Sequence, residues 1–276
     1  MQLRFTKMHG LGNDFMVLNL LQQQVELSPT LVRAWSHRKT GIGFDQLLIL
    51  EATASPGCDF AYRIFNADGD EVEHCGNGAR CITRYAIDQG LTSKTALTFA
   101  MARGTIATRL QADGQVTVDM RPPVLAPALI PFNATQQAVS YPLSVTGQQL
   151  QICAISMGNP HAVMVVDKVE SFPVLELGPQ IEHHPAFPQR VNAGFMQIIN
   201  RGEIRLRVYE RGAGETLACG TGACAAVVAG RLLGRLDAQV LVHTHGGDLH
   251  IDWAGDGASV WKTGPAVTVF EGQIEL

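Results

Sequence analysis

The feature that most constrains this chain is a short motif of cysteine and glycine that occurs twice. Residues 75–81 read CGNGARC and residues 219–225 read CGTGACA, 144 positions apart. Each motif places a cysteine before Gly-x-Gly and then enters a segment compatible with a helix. The pattern predicts a cysteine at the N-terminus of each of two helices. There, unpaired backbone N–H groups and the helix dipole lower the pKa of a thiol and attract anions.

Other landmarks recur in the same order, which indicates that the chain contains a duplicated unit. Their offsets lie between 143 and 151 residues, close to the spacing of the cysteine motifs: Gly12-Asn13 with Gly158-Asn159, Gly43-Phe44 with Gly194-Phe195, Asn66 with Glu210, and Asp113-Gly114 with Asp256-Gly257. The proline-rich stretch 121–142 then forms the crossover between the two halves.

The segment after the second cysteine motif predicts the architecture. Residues 223–229 are apolar on every side, so a helix over them must be buried all round. The neighbouring segments have the short alternating patterns of strands, and Asp113-Gly114 is a hairpin signal between two of them. We therefore predict in each half a helix wrapped by strands, with the N-termini of the two helices facing a shared cleft.

Composition excludes several classes of protein. The chain is 46% apolar and 17% charged with a net charge of -4, which is typical of a globular protein. It has no basic run, no apolar stretch of membrane-spanning length and no apolar segment of a signal peptide at residues 1–10. We expect a cytoplasmic protein that binds neither nucleic acid nor membranes.

The six cysteines predict neither a zinc site nor a disulfide framework. No CxxC pair occurs, and structural disulfides are rare in a reducing cytosol. Four of the cysteines, Cys58, Cys81, Cys153 and Cys224, are expected to be small buried hydrophobic residues. Cys75 and Cys219 remain as a matched pair of thiols.

Two thiols on opposite sides of one carbon can invert its configuration. A thiolate removes a proton from one face, and a thiol returns a proton to the other. The carbanion needs preorganised donors, which the backbone N–H groups of Gly76, Asn77, Gly220 and Thr221 would supply to a substrate carboxylate. No lysine lies in a recognisable pyridoxal-phosphate motif, so we expect no cofactor.

Several long motifs carry a resemblance to a known family. They are MHGLGNDF (8–15), GIGFDQ (41–46), FNADG (65–69), CGNGARC (75–81), GNPHAV (158–163), Asn192 and YERGAGETLACGTGACA (209–225). Over nearly its whole length the chain resembles the diaminopimelate epimerase family.

The resemblance implies both a fold and a reaction. The implied fold is α+β, with two pseudo-symmetric lobes that are each a strand-rich barrel around a central helix. We expect residues 1–119 plus 265–276 to form the lobe with Cys75, and residues 120–264 the lobe with Cys219. The implied reaction converts LL-2,6-diaminoheptanedioate to its meso form for lysine and peptidoglycan synthesis, without cofactor or metal, in a homodimer.

The resemblance also implies roles for individual residues. Cys75 and Cys219 would be the acid–base pair, and His161 and Glu210 would tune the two thiols. The implied substrate-binding residues are Asn13, Gln46, Asn66, Gly76, Asn77, Asn159, Asn192, Glu210, Arg211, Gly220 and Thr221. A cation such as Arg211 suits the distant carboxylate of a substrate with two amino-acid ends.

Two positions depart from the pattern of this family. His74 stands where an uncharged residue is more common, and it could alter the behaviour of the adjacent thiol. Phe270 stands where many members have a tyrosine linked to the dimer contact, which leaves the homodimer open.

Other functions remain open at this point. The same two thiols would serve a cofactor-independent racemase of another amino acid, such as proline. They would also serve as a disulfide couple in a thiol redox protein, or survive in a ligand-binding protein without catalysis. His243 and His245 share one strand face, where a metal site is the alternative to exposed histidines.

Overall fold

The structure is a computed structural model that describes residues 2–72 and 76–275. Within these residues it contains eighteen strands and four α-helices, which confirms the predicted strand-rich α+β class. Two compact units divide the chain: the first comprises Met1–Asp119 and Thr263–Leu276, and the second comprises Met120–Lys262. Glu73, His74 and Cys75 lie outside the described residues.

The secondary structure of the first half begins with the hairpin-forming N-terminal strands and includes two helices. Its elements are β1 Gln2–Gly10, β2 Asn13–Asn19, α1 Pro29–Ser36, β3 Gln46–Glu51, β4 Phe60–Asn66, β5 Glu71–Val72, α2 Gly76–Asp88, β6 Ala96–Ala100, β7 Thr105–Leu110 and β8 Val116–Asp119.

The second half contains the same sequence of element types and then returns to the first unit. Its elements are β9 Tyr141–Val145, β10 Gln148–Ser156, β11 Pro160–Val165, α3 Val174–Glu182, β12 Asn192–Asn200, β13 Glu203–Glu210, β14 Gly214–Glu215, α4 Gly220–Leu232, β15 Gln239–Thr244, β16 Gly247–Trp253, β17 Val260–Gly264 and β18 Val267–Glu275.

Strand pairing follows one scheme in both units. In the first unit β2 runs parallel to β3, β3 antiparallel to β4, β4 parallel to β6 and β6 antiparallel to β7. In the second unit β11, β12, β13, β15 and β16 repeat this alternation in the same order. An outer strand completes each unit, because β18 pairs with β1 and β9 pairs with β10. The repeated motifs therefore correspond to a repeated topology.

Helices α2 and α4 are the centres of their units. Each has thirteen residues, and they begin 144 positions apart, as the cysteine motifs do. Helix α2 packs against β1, β2, β3, β7 and β8, whereas α4 packs against β10, β11, β12, β13 and β16. Residues 222–230 of α4 are all buried, as the apolar pattern predicts.

The two remaining helices close separate hydrophobic cores. Ser28-Pro29 is a sequence signal that predicts a helix start, and α1 begins there. The Ser28 hydroxyl accepts from the Leu31 N–H at 3.2 Å, and the helix buries Val32 and Trp35. Helix α3 buries Val174 and Ile181 in the core of the second unit. A helix over residues 174–182 is not among the sequence predictions, and its Gly178-Pro179 is a pair more typical of a turn.

Gly178 is required by a close approach between α3 and β13. A Cβ atom at this position would lie 2.5–2.7 Å from Tyr209 ring and Cβ atoms. Alanine favours a helix over glycine by about 1 kcal/mol, but such an overlap costs about 1–3 kcal/mol.

We expect Gly178→Ala to lower the free energy of unfolding, measured by urea titration, because the overlap with Tyr209 outweighs the gain in helix propensity. Gln180→Ala, at an exposed position of the same helix, is the matched control and should change it by less than about 0.5 kcal/mol. An unchanged or raised stability of Gly178→Ala would show that α3 can shift away from β13.

Candidate active site

Cys219 lies at the start of α4, against a carboxylate from the end of β13. It is the N-cap residue of the helix, with an extended backbone. Its Sγ donates a hydrogen bond to Oε2 of Glu210 at 2.9 Å. The hydroxyl of Thr216 donates to the other oxygen of Glu210, Oε1, at 2.5 Å. The carboxylate therefore accepts from a thiol and a hydroxyl at once.

The expected lowered pKa is wrong for Cys219, because other effects outweigh that of the helix N-terminus. Burial raises the pKa of Cys219 well above its usual value, and the negative charge and hydrogen bond of Glu210 raise it further. The hydroxyl of Thr221, at 3.6 Å from Sγ, and the Gly222 N–H act in the opposite direction but are outweighed. Cys219 therefore holds its proton at rest, and Glu210 can receive that proton if a thiolate is needed.

His161 is a buried, neutral imidazole in the same unit. Burial lowers its pKa to about 3, and the positive charge of Arg211 acts in the same direction. Nε2 lies 3.1 Å from Oδ1 of Asn159, an acceptor, so Nε2 carries the proton. Nδ1 is then an unprotonated acceptor, and it has no hydrogen-bond partner in the part of the chain that the structure describes.

Asn192 joins this histidine to the turn that carries Glu210 and Arg211. It pairs in register with His161 across the parallel strands β11 and β12, and its Nδ2 donates to the Pro160 carbonyl at 2.9 Å. Its Oδ1 accepts from the Arg211 backbone N–H at 2.9 Å. The structure thus brings together six predicted residues of the second unit: Asn159, His161, Asn192, Glu210, Arg211 and Cys219.

Predicted residues of the first unit form two hydrogen-bonded pairs. Gln46 and Asn66 face each other across β3 and β4, with Nε2 of Gln46 donating to Oδ1 of Asn66 at 2.9 Å. Nδ2 of Asn77 donates to Oδ1 of Asn13 at 3.3 Å. The buried Oε1 of Gln46 has no hydrogen-bond partner among the described residues.

The backbone donors predicted for a carboxylate lie at the helix starts. Gly76 and Asn77 are the first two residues of α2, and Gly220 and Thr221 are the first two of α4. Cys75, the predicted partner of Cys219, and His74 lie outside the described residues.

The second glycine of each motif has a packing role that the sequence did not indicate. A Cβ atom at Gly78 would overlap the Tyr62 hydroxyl, and one at Gly222 would lie 2.9 Å from Cγ2 of Val208. These glycines therefore let a strand approach the first turn of the helix.

Other cysteines and histidines have ordinary surroundings. The five described cysteines are free; Cys81, Cys153 and Cys224 are buried as expected, whereas Cys58 is only partly buried, contrary to the expectation. His243 bonds to Glu203 at 2.9 Å and Asp248 at 2.7 Å. Within residues 2–72 and 76–275, no group of three or more His, Cys, Asp or Glu side chains is arranged to hold a metal ion.

Thr216, Asp45 and Arg80 contact predicted site residues but were not predicted themselves. Thr216 bonds to Glu210, Asp45 to Asn13, and Arg80 to Asn77. Asp45 lies inside the motif at 41–46, Arg80 inside 75–81 and Thr216 inside 209–225. Membership of these motifs is the sequence feature that could have identified all three as site residues.

Comparison with known proteins decides the family. The profile of the family described as diaminopimelate epimerase matches residues 5–126 and 153–269. The chain belongs to the diaminopimelate epimerase family. Diaminopimelate epimerases of Pseudomonas entomophila (strain L48) and Chromobacterium violaceum are each 60% identical to it over 276 residues, covering 100% of both chains.

Solved structures outside this level of identity share the fold of the family. A hydroxyproline epimerase from Agrobacterium vitis superposes with a TM-score of 0.70 at 16% identity, covering 99% of this chain and 92% of that one. A PhzF-family phenazine biosynthesis protein from Bacillus anthracis gives 0.70 at 15% identity, with 100% of each chain covered. In this member of the diaminopimelate epimerase family, no described helix is both long and apolar enough to cross a bilayer.

We expect Glu210→Gln to lower the pKa of Cys219, because the substitution removes the negative charge that opposes thiolate formation. Alkylation of Cys219 by iodoacetamide, followed by mass spectrometry across a pH series, should reach a given rate at lower pH. Glu215→Gln is the matched control, since Glu215 is paired with Arg207 instead. A profile unmoved by Glu210→Gln would contradict the role of this carboxylate.

The buried His161 should make stability depend on pH. The unfolded chain binds a proton at this residue near pH 6.5, but the folded chain does so only near pH 3. Stability is therefore lost as pH falls between these values, by up to about 1.4 kcal/mol per pH unit. Urea titrations from pH 6.5 to 5 should show a shallower slope in His161→Gln but not in His250→Gln, which changes an exposed histidine. Equal slopes in His161→Gln and the wild type would mean that His161 is accessible to protons.

Proposed function

We propose that this protein epimerises LL-2,6-diaminoheptanedioate to the meso form, as an isomerase of lysine and peptidoglycan biosynthesis. The observation that carries the proposal is the buried pair of Cys219 and Glu210 at the start of α4, in a chain of the diaminopimelate epimerase family. This pair holds a proton on sulfur beside a carboxylate that can take it. Relatives named diaminopimelate epimerase, 60% identical over their whole length, support the substrate.

The reaction proceeds through two proton transfers at one α-carbon. A thiolate removes the α-proton, and the electron pair of the broken C–H bond becomes a carbanion conjugated with the substrate carboxylate. The other thiol then donates its proton to the opposite face. Cys75 and Cys219 exchange these roles when the reaction reverses, so the enzyme is returned with one proton moved from one sulfur to the other.

Glu210 and His161 set the protonation of the site. Glu210 accepts the proton of Cys219 when this sulfur must act as a base, and it stays hydrogen-bonded to Thr216 meanwhile. His161 is neutral and offers an unprotonated Nδ1, so it can accept a hydrogen bond from a donor in the site without becoming charged. Glu210 thereby acts as the local proton store, and His161 as a neutral acceptor.

Substrate binding requires contacts at both amino-acid ends. The N–H groups at Gly76, Asn77, Gly220 and Thr221 hold the carboxylate at the reacting end, where charge develops. The distant end is bound by Arg211 and by the amides of the remaining candidates, Asn13, Gln46, Asn66, Asn159 and Asn192.

The assignment of one thiol to each lobe, residues 1–119 plus 265–276 and residues 120–264, stays a prediction. The homodimer also stays a prediction. On β18 the side chains of Val267, Val269 and Phe270 are exposed, and this apolar strand would support a contact between copies.

Incubation in heavy water tests the function. We expect the enzyme to place deuterium at one α-carbon of LL-diaminopimelate while forming the meso isomer, without added cofactor or reductant. Cys75→Ala and Cys219→Ala should each lower the rate at least about 100-fold, because each removes an acid–base group. Cys58→Ala, which changes a partly buried cysteine of the first unit, is the control.

Three other results of this experiment would each indicate a different function. Exchange with proline but not diaminopimelate would indicate a racemase of another amino acid. A requirement for a thiol reductant or oxidant would indicate redox chemistry. Binding of diaminopimelate without exchange in the wild type would indicate a ligand-binding protein.

A further inference from the structure

A chain of hydrogen bonds in the first unit links two residues that the proposed function assigns to substrate binding. Nη1 of Arg80 donates to Oδ1 of Asn77 at 3.0 Å. Nδ2 of Asn77 donates to Oδ1 of Asn13 at 3.3 Å. Nδ2 of Asn13 donates to Oδ2 of Asp45 at 3.0 Å. The chain runs from a guanidinium through two amides to a carboxylate.

The two charged ends fix the direction of every bond between them. A guanidinium only donates, so the oxygen of Asn77 must face Arg80. The NH₂ group of Asn77 then faces Asn13, which has to present its oxygen. The NH₂ group of Asn13 consequently faces Asp45, and an ionised carboxylate only accepts. A reversal of either amide would bring two donors or two acceptors together.

Both ends of the chain are themselves held in place. Arg80 is fully buried, and its Nε donates to the Pro265 carbonyl at 3.0 Å. Asp45 is exposed, and its Oδ1 accepts from Nη2 of Arg38 at 2.7 Å. Neither charged group can follow an amide that turns.

A comparison of the two units shows that the scaffold does not need the buried cation. Arg80 lies 144 positions before Cys224, so the corresponding site in α4 holds a small apolar side chain. A buried guanidinium is costly to desolvate, and a cation near a helix N-terminus is unfavourable. Its hydrogen bonds to Asn77 and to the Pro265 carbonyl help to offset this cost.

We propose that Arg80 and Asp45 are positioning residues that fix which group of the Asn13 and Asn77 amides faces the substrate. This inference rests on the proposed function, which places both asparagines in the site. An amino-acid substrate presents an ammonium group, which needs an amide oxygen, and a carboxylate, which needs an amide NH₂. If an amide is reversed, its NH₂ group faces the ammonium or its oxygen faces the carboxylate, and substrate binding weakens.

Asp45→Asn tests this without touching a binding residue. Oδ2 of Asp45 also accepts from the Asp14 N–H at 3.2 Å, but the charge-assisted bond from Arg38 to Oδ1 is shorter, at 2.7 Å, and about twice as strong as a bond between neutral groups. We therefore expect the oxygen of the new amide to face Arg38. The NH₂ group of residue 45 then faces the NH₂ group of Asn13, and the direction of the chain is broken. We expect KM for LL-diaminopimelate to rise by about tenfold or more, with kcat reduced less.

Removal of Arg38 should reverse this effect. In the double variant Arg38→Met/Asp45→Asn the competing guanidinium is gone, and the donors left for the amide oxygen are Asn13 and the Asp14 N–H, which bond to the same carboxylate oxygen in the wild type. The oxygen can therefore turn to Asn13 and restore the original direction. We expect KM of the double variant to return to within about threefold of the wild type, and Arg38→Met alone to change KM by less than that. If Asp45 had a purely structural role, the increases in KM caused by the two substitutions would instead add in the double variant.

The controls separate orientation from general damage. Asp88→Asn removes the carboxylate of another arginine pair, Arg84 with Asp88, and should leave KM unchanged. The melting temperatures of the variants should follow neither the rise of KM in Asp45→Asn nor its return in the double variant. Arg80→Lys, which keeps a donor, should retain more activity than Arg80→Met. If the Arg80 variants do not fold, the Asp45 variants alone test the inference.

Two results would overturn the inference: KM of Asp45→Asn within about threefold of the wild type, or a double variant as impaired as Asp45→Asn. Both are read in a wild-type background that epimerises diaminopimelate. Absence of deuterium exchange in the wild type would instead contradict the proposed function itself, so the two failures are distinguishable.

Discussion

The burial of residues 222–230 of α4 is the constraint on which the second unit depends. Residues 222–230 are all buried among strands of the same unit, so the helix cannot slide or rotate without opening cavities against them. Gly222 and Gly230 allow neighbours to approach so closely that a Cβ atom would overlap Val208 or Leu236. The packing therefore fixes the start of the helix, and with it the sulfur of Cys219.

The polar contacts of the site are concentrated at the start of α4. The first turn has N–H groups without partners in the helix, and β13 delivers Glu210 beside it. A buried thiol next to a carboxylate stays protonated, because a second negative charge would have to form in the same poorly solvated place. The helix start is thus suited to binding an anion, whereas its own sulfur stays protonated beside Glu210.

The sequence predicted the repeat and the buried helix over residues 223–229, since both depend on residue type and spacing, whereas the residues of the polar clusters were named from the resemblance to a family. It predicted α1 correctly from Ser28-Pro29 but missed α3, where tertiary burial of Val174 and Ile181 overrides Gly178-Pro179. It gave the wrong direction for the pKa of Cys219. A helix dipole can be inferred from a motif, but desolvation and the 2.9 Å approach of Glu210 depend on the folded chain. Asp45 and Arg80 were not predicted for the same reason: the residues that they contact are known only from the folded chain.

The duplication provides two similar scaffolds, and divergence has given their helix starts opposite charges. In the second unit a carboxylate accepts from the thiol at the N-cap, and the position 144 residues after Arg80 is the neutral Cys224. In the first unit a buried guanidinium lies one turn inside α2, where it adds to the positive potential of the helix start. Under the proposed mechanism one sulfur gives a proton while the other takes one. Two helix starts of equal charge would favour the same protonation state at both, so unequal surroundings suit a repeated fold to the proposed reaction.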